Sequence, residues 1–327
     1  MIKATDFPDG SAPRPADDGV FDVVVVGAGA AGLNAALLLG RARRKVVVLD
    51  AGEPRNAPAA HMYGFLSRDG SSPAALLELG RAEIARYGVQ IIRGRVERID
   101  RDLDVRMVGG PVLKARRVLV ATGLRDELPD IPGVRERWGR DLLHCPYCHA
   151  YEVRDRPLAV LGTHPGAVHQ ALLLRAWSDD VVFLPHTLEP TAQDRDRLEA
   201  RGLRIVEGRV KRLVIEDDQL RGIELTDGRA VPRAAAFLFP RVVPRDELLT
   251  GLGCAKDDNG WVATDRTGRT SVAGVWAAGN VIDPRAQVIT AAGMGSAAAF
   301  AINTDLLDED VDHAVEQRRA TVAGDRR

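Results

Sequence analysis

The sequence predicts an α/β fold in which a Rossmann-like dinucleotide-binding domain occurs twice, the second copy inserted in the first. Residues 21–50, FDVVVVGAGAAGLNAALLLGRARRKVVVLD, run from an apolar stretch through a glycine-rich turn and a helical stretch to a second apolar stretch ending in an acid. This is the βαβ pattern of a dinucleotide site. Moved along by 135 positions, so that 27 falls on 162, the pattern recurs at 156–185 as RPLAVLGTHPGAVHQALLLRAWSDDVVFLP, with Leu37, Leu38 and Leu39 falling on Leu172, Leu173 and Leu174. Downstream, VQIIRGRVERI (89–99) matches LRIVEGRVKRL (203–213), each followed by alternating, strand-like residues with turn signals. Each copy therefore reads as a three-layer β/β/α unit with a small antiparallel meander.

In the first copy each glycine has a physical task. Gly27 permits the tight turn, Gly29 lets the backbone approach a pyrophosphate, and Gly32 lets helix and strand pack closely. Between them Ala30 and Ala31 open the helix, whose N-terminal N–H groups suit phosphates. Asp50 ends the second strand, where it can accept a hydrogen bond from an adenosine ribose. The copy closes with RRVLVATG (116–123), a strand ending in Thr122-Gly123, whereas the second closes with AAAFLFPR (234–241), where the small residues are gone. Residues 271–307 then supply a strand, a Gly279-Asn280 turn and a long helix rich in small residues, suited to close packing beside a cofactor.

A chain of 327 residues, 45% hydrophobic and 28% charged, is long enough for two such domains. Its net charge of -1 comes from 45 basic and 46 acidic residues scattered along the sequence, which argues against nucleic-acid and membrane-surface partners. The opening MIKATDFPDGSAPRPADDG is polar and rich in Pro and Gly. It reads as a flexible tail over 1–19, and with no apolar run of spanning length the chain is expected in the cytoplasm. Three cysteines, Cys145, Cys148 and Cys254, make no disulfide framework, so the close pair calls for a chemical explanation.

That pair lies in HCPYCHA (144–150), which admits three readings. Haem attachment through CxxCH needs an export signal and a haem-sized, mostly helical pocket, and the sequence offers neither. Zinc needs four ligands arranged tetrahedrally, and those between His144 and His149 crowd too closely to wrap one ion without a second cluster. No metal is therefore expected. The third reading is a dithiol/disulfide pair, whose thiolate a helix N-terminus or cationic neighbour makes available. His144 and His149 are either proton acceptors for an incoming thiol or solvated helix-cap residues. Cys254, in the loop-like GLGCAKDDNG, reads as an inert thiol.

Taken together, GAGAAG, ATG, the CxxC opening the second copy and GVWAAGN resemble low-molecular-weight thioredoxin reductases over nearly the whole chain after the tail. The resemblance implies a discontinuous FAD domain at 20–124 and 243–315, an inserted CxxC-bearing domain at 125–242, a tail at 316–327, and a homodimer. It implies that Gly27, Gly29, Gly32 and Asp50 hold the ADP part of FAD and that Gly279 and Asn280 face the ribitol and pyrophosphate. Arg285, Ala286, Gln287 and Val288 would lie along the isoalloxazine ring. Where the family usually has Asp this chain has Asn280, which can still bond a ribitol hydroxyl. By the same resemblance Cys148 would meet the flavin and Cys145 the substrate, and His149 stands where the family commonly has an acid/base Asp.

The second copy departs from that pattern. Gly27, Gly29 and Gly32 become Gly162, His164 and Ala167; Pro165 removes an N–H from the turn, and the terminal acid becomes Pro185. No arginine cluster for a 2′-phosphate occurs in LPHTLEP (184–190), and Arg195 and Arg197 lie on what reads as a surface helix. An intact FAD site and CxxC beside a degraded nicotinamide site resemble the gliotoxin- and holomycin-type dithiol oxidases of the same superfamily. That resemblance implies oxidation of a small-molecule dithiol to a disulfide, with O₂ as acceptor. The alternative is a thioredoxin reductase, fed by weakly held NADPH or by ferredoxin, that reduces a protein disulfide.

Overall fold

The computed structural model describes residues 19–324. It divides into two compact units: the first runs to Pro54, from Ala74 to Leu124 and from Pro244 onward, and the second takes Arg55–Pro73 and Arg125–Val243. Both are built on the expected α/β pattern.

The first unit carries a seven-stranded sheet. Val20–Val26 lies between Val46–Asp50 and Val112–Val120, parallel to both, and Gln90–Arg93 extends the sheet beyond Val46–Asp50. Val96–Ile99 and Asp104–Met107 form the antiparallel meander against Val112–Val120, and Val275–Ala277 returns from far along the chain to pair with that same strand. The run of valines is explained by burial on both faces. Val23 and Val25 point into a core with Ala35, Ala36, Leu39 and Ile302, while Val24 and Val26 point into another with Val105, Val118 and Val275. A strand covered on both sides needs continuous apolar residues, each worth about 1.5–3 kcal/mol on burial.

The helix Ala30–Arg41 is crossed by the long helix Val288–Gly324. Small residues are required there, because a Cβ on Gly295 would stand 2.0 Å from the carbonyl oxygen of Ala31. The Asn34 amide donates to the Ala292 carbonyl at 2.7 Å across this contact. Further along, the long helix is anchored by ion pairs: Arg117 to Asp305 and Glu309, each at 2.5 Å, and Arg44 to Asp310 at 2.7 Å. The tail read at 316–327 is corrected as far as Gly324, since the helix continues to that residue. Its sequence there, EQRRATVAG, is mostly strong helix formers and holds no proline. The tail read at 1–19 lies, apart from Gly19, outside the described residues.

In the second unit five parallel strands run in the order Arg204–Ile205, Val181–Leu184, Leu158–Leu161, Ala235–Leu238, Leu142–Leu143. The first four stand in the same order as their counterparts in the first unit, so the repeat read from the sequence is a repeat of topology. Val210–Glu216, Gln219–Leu225 and Ala230–Pro232 make its antiparallel meander. The helix Ala192–Ala200 starts at a capping box in which Asp194 N–H donates to the Thr191 hydroxyl at 3.1 Å and Thr191 N–H to the Asp194 carboxylate at 3.2 Å.

Residues 55–73 depart from the domain boundaries read from the sequence, which left them with 20–124. They cluster with the second unit because side chains tie them there. Arg55 makes a two-pronged bond to Asp126 at 2.8 and 2.9 Å, Pro58 lies against Gly139, and Tyr63 sits edge-on to His149. Among the described residues no helix is long and apolar enough to cross a membrane.

Candidate active site with a redox disulfide

The first unit's glycine-rich turn separates two kinds of glycine. Gly27 has φ +112°, and a Cβ there would lie 2.3 Å from the Ala121 carbonyl oxygen; a Cβ on Gly32 would lie 1.9 Å from that of Gly27. Both are required by the backbone itself. Gly29 is different: a Cβ there would meet nothing within 4 Å, so its backbone faces open space at the start of the helix Ala30–Arg41. The leading N–H groups of a helix have no acceptor within it, so this turn fits the phosphate oxygens of a dinucleotide.

The other residues expected to hold the dinucleotide belong to the same unit. Asp50 is buried at the end of its strand, accepting from Gly52 N–H at 2.8 Å, from Arg93 at 2.9 Å and from Arg81 at 3.2 Å. Gly123 has φ +71°, and the Thr122 hydroxyl donates to the Arg245 carbonyl at 2.6 Å. Gly279, at φ +80°, approaches Ala31. The Asn280 amide nitrogen donates to the carbonyls of Asp283 and Ala286, each at 2.9 Å, two bonds that an Asp carboxylate could not donate. This accounts for asparagine at a position where aspartate is usual. Gln287 and Val288 lie where this loop enters the long helix.

In the second unit Cys145 and Cys148 form a disulfide, their Cα atoms 5.2 Å apart. Cys145 caps the short helix Pro146–His149, and its carbonyl accepts from the N–H groups of Cys148 and His149 at 3.1 and 3.2 Å. The proline fits because the first helical position needs no N–H donor. Among the described residues no group of three or more His, Cys, Asp or Glu is placed to hold a metal ion. Cys254 is buried in the first unit, and burial pushes its thiol pKa up.

The two histidines flank the disulfide in different surroundings. Burial, reinforced by the charge of Arg55 and opposed by Asp126, lowers the His144 pKa from its ordinary value to about 4. His149 is lowered chiefly by burial and then by His61. A solvated imidazole titrates near neutrality; burial instead keeps His144 uncharged through the neutral range. Folded His144 binds its proton near pH 4 and the unfolded residue near 6.5, so the unfolded chain holds more protons in between. The stability that follows is complete above about pH 6.5 and is lost as pH falls toward 4, by about 3 kcal/mol at most. Urea unfolding near pH 7 and near pH 5 should show a smaller acid loss in His144→Gln than in the wild type. Equal losses would remove His144 from the account.

Aromatic rings occupy the second dinucleotide turn. The His164 ring stacks on Phe239 with centroids 4.6 Å apart, and its Nδ1 accepts the Gly166 N–H at 3.0 Å. The N–H that would greet a phosphate is thus already bonded within the chain. His144 meets the edge of Phe239 at 5.0 Å and stacks on Trp138 at 6.5 Å. At the end of the second strand, His186 accepts from Val210 N–H at 2.9 Å. Arg195 pairs with Glu207 at 2.5 Å and Arg197 lies beside Asp194. Of these residues the sequence pointed to His144, His164, Arg195 and Arg197. Phe239 and Trp138 carry no spacing signal, and His61 and Tyr63 lie in the segment 55–73, which was read with the first domain.

With this geometry in view, the relatives are informative. A family model described as pyridine nucleotide-disulphide oxidoreductase matches residues 21–295. The chain is 32% identical over 317 residues to thioredoxin reductase sirT of Leptosphaeria maculans, covering 89% of this chain and 96% of that protein. It is 31% identical over 278 residues to thioredoxin reductase tcpT of Claviceps purpurea, covering 80% and 86%. The crystal structure of HlmI matches with a TM-score of 0.91 at 62% identity, covering 96% of this chain and 99% of that one. The chain therefore belongs to the pyridine nucleotide-disulphide oxidoreductase family, as a thioredoxin-reductase-like enzyme whose cofactor is FAD.

Proposed function

We propose that this enzyme oxidises a small-molecule dithiol to a disulfide on its Cys145–Cys148 pair, with O₂ as the final electron acceptor. The observation that carries this reading is the second dinucleotide turn, whose phosphate-facing N–H is bonded by His164 and whose space is filled by the His164–Phe239 stack. An enzyme fed by a nicotinamide would need that turn open.

A substrate thiolate attacks Sγ of Cys145 and displaces Cys148 as thiolate. The second substrate thiol, losing its proton to solvent by way of an uncharged imidazole at His144 or His149, then displaces Cys145. This closes the product disulfide and leaves two electrons on the enzyme as the reduced Cys145–Cys148 pair, the substrate's two protons having gone to solvent. Gly27, Gly29, Ala30, Ala31, Gly32 and Asp50 would hold the ADP half of FAD, with Thr122, Gly123, Gly279, Asn280, Gln287 and Val288 along the remainder. FAD, when bound, supplies the acceptor for those two electrons and passes them to O₂, giving H₂O₂. The same reading carries a homodimer in the cytoplasm.

The test is flavin absorbance in the purified, FAD-loaded protein without oxygen, with dithiothreitol added to one sample and NADPH to another, followed by air. Bleaching by the dithiol alone, with recovery and peroxide release in air, supports the oxidase. Rapid bleaching by NADPH would overturn it and leave a thioredoxin reductase, the activity for which sirT and tcpT are named.

A further inference from the structure

The helix Gly166–Leu174 turns a stripe of Ala167, Gln170, Ala171 and Leu174 toward the interior of the second unit. Three of these are apolar and fully buried, and Gln170 is only 3% exposed. A buried amide on such a stripe costs free energy that leucine would not, so its bond must account for its presence. Its Nε2 donates at 2.5 Å to the backbone carbonyl of His144. Among the described residues its Oε1 is buried with no partner, which leaves the bond to His144 as the visible task of the amide there.

The carbonyl it holds is an unusual one. The edge strand Leu142–Leu143 pairs with Ala235–Leu238 only through those two residues, so His144 lies beyond the ladder. The next residue, Cys145, has extended backbone at φ -92° and ψ 114° before the chain enters the helix. The peptide joining His144 to Cys145 is thus gripped on one side by Gln170, while the Cys145 carbonyl is gripped on the other by the N–H groups of Cys148 and His149. Rotation of that peptide would swing Sγ of Cys145. Disulfide exchange is sensitive to such motion, since the incoming thiolate must approach along the S–S axis.

We infer that Gln170 is a positioning residue, fixing the His144–Cys145 peptide and with it the line of attack on Cys145. This rests on reading Cys145–Cys148 as the redox pair, but not on the identity of substrate or acceptor.

The experiment follows the opening of the disulfide in full-length, FAD-loaded protein by excess dithiothreitol without oxygen, with maleimide quenching and mass spectrometry. Gln170→Leu keeps the stripe apolar and removes the donor; opening should slow about tenfold at unchanged flavin content. Gln170→Glu adds a signature that packing alone would not produce. A protonated carboxyl can donate to the His144 carbonyl and an ionised one repels it, so its opening rate relative to wild type should climb as pH is lowered. If the leucine variant fails to fold, this pH-dependent ratio decides alone. Wild-type opening in Gln170→Leu, or a flat ratio in Gln170→Glu, would reduce Gln170 to core filling. A wild-type disulfide that dithiothreitol cannot open would instead overturn the redox pair itself.

Discussion

Cys148→Ser should retain FAD and lose dithiol-driven flavin bleaching by at least about a thousandfold. A single sulfur cannot form the enzyme disulfide that accepts two electrons, whereas the residues proposed to hold FAD belong to the other unit and are unchanged. Cys145→Ser should be equally inactive, but the two variants differ in what they trap. With Cys145 still present, the Cys148→Ser protein should accumulate a mixed disulfide when given an activated disulfide probe, which releases its leaving thiol and is read as a mass increase at Cys145. Retention of more than about a tenth of wild-type turnover by either variant would remove the pair from the chemistry.

Gly27→Ala should destabilise the protein by about 3 kcal/mol or more and strip most of its flavin. The new methyl would be driven against the Ala121 carbonyl in a backbone conformation that L-residues avoid, with φ +112° and only 2.3 Å of separation. Gly29→Ala is the matching control, because its Cβ meets no protein atom within 4 Å. That variant should fold with nearly wild-type stability yet bind FAD about tenfold more weakly or worse, the methyl standing where the phosphates approach. Flavin content and urea unfolding separate the two effects. Wild-type values of both in Gly27→Ala would contradict the packing argument.

The doubled α/β pattern, the glycine-rich turn and the redox pair are legible in the sequence because each is local. A run such as VVVVGAGAAG encodes strand, turn and helix within a few residues, and CxxC places two sulfurs within reach by spacing alone. The segment 55–73 was misassigned because what holds it, Arg55 on Asp126 and Tyr63 against His149, joins positions distant in sequence through single side chains. Phe239 likewise stacks on His164 from just beyond the strand Ala235–Leu238, 75 positions away in sequence. Read from the sequence, the long helix stays within 271–307 and a tail begins at 316, although nothing chemical ends the helix at either point. The lowered His144 pKa comes from burial among residues brought together only by folding, so the residue type alone points to the wrong pH range.

The first sheet takes one of its strands, and the helix that crosses Ala30–Arg41, from beyond residue 274, so that Asn34 bonds a residue 258 positions later. During synthesis the inserted unit is therefore complete in the emerging chain before the FAD cradle can close. At a rate of about 5–20 residues per second, the valine strands and their glycine turn wait on the order of ten seconds or more for their partners. Such a strand exposes apolar surface on both faces while it waits, which makes this interval the period of greatest exposure to aggregation and to chaperone capture.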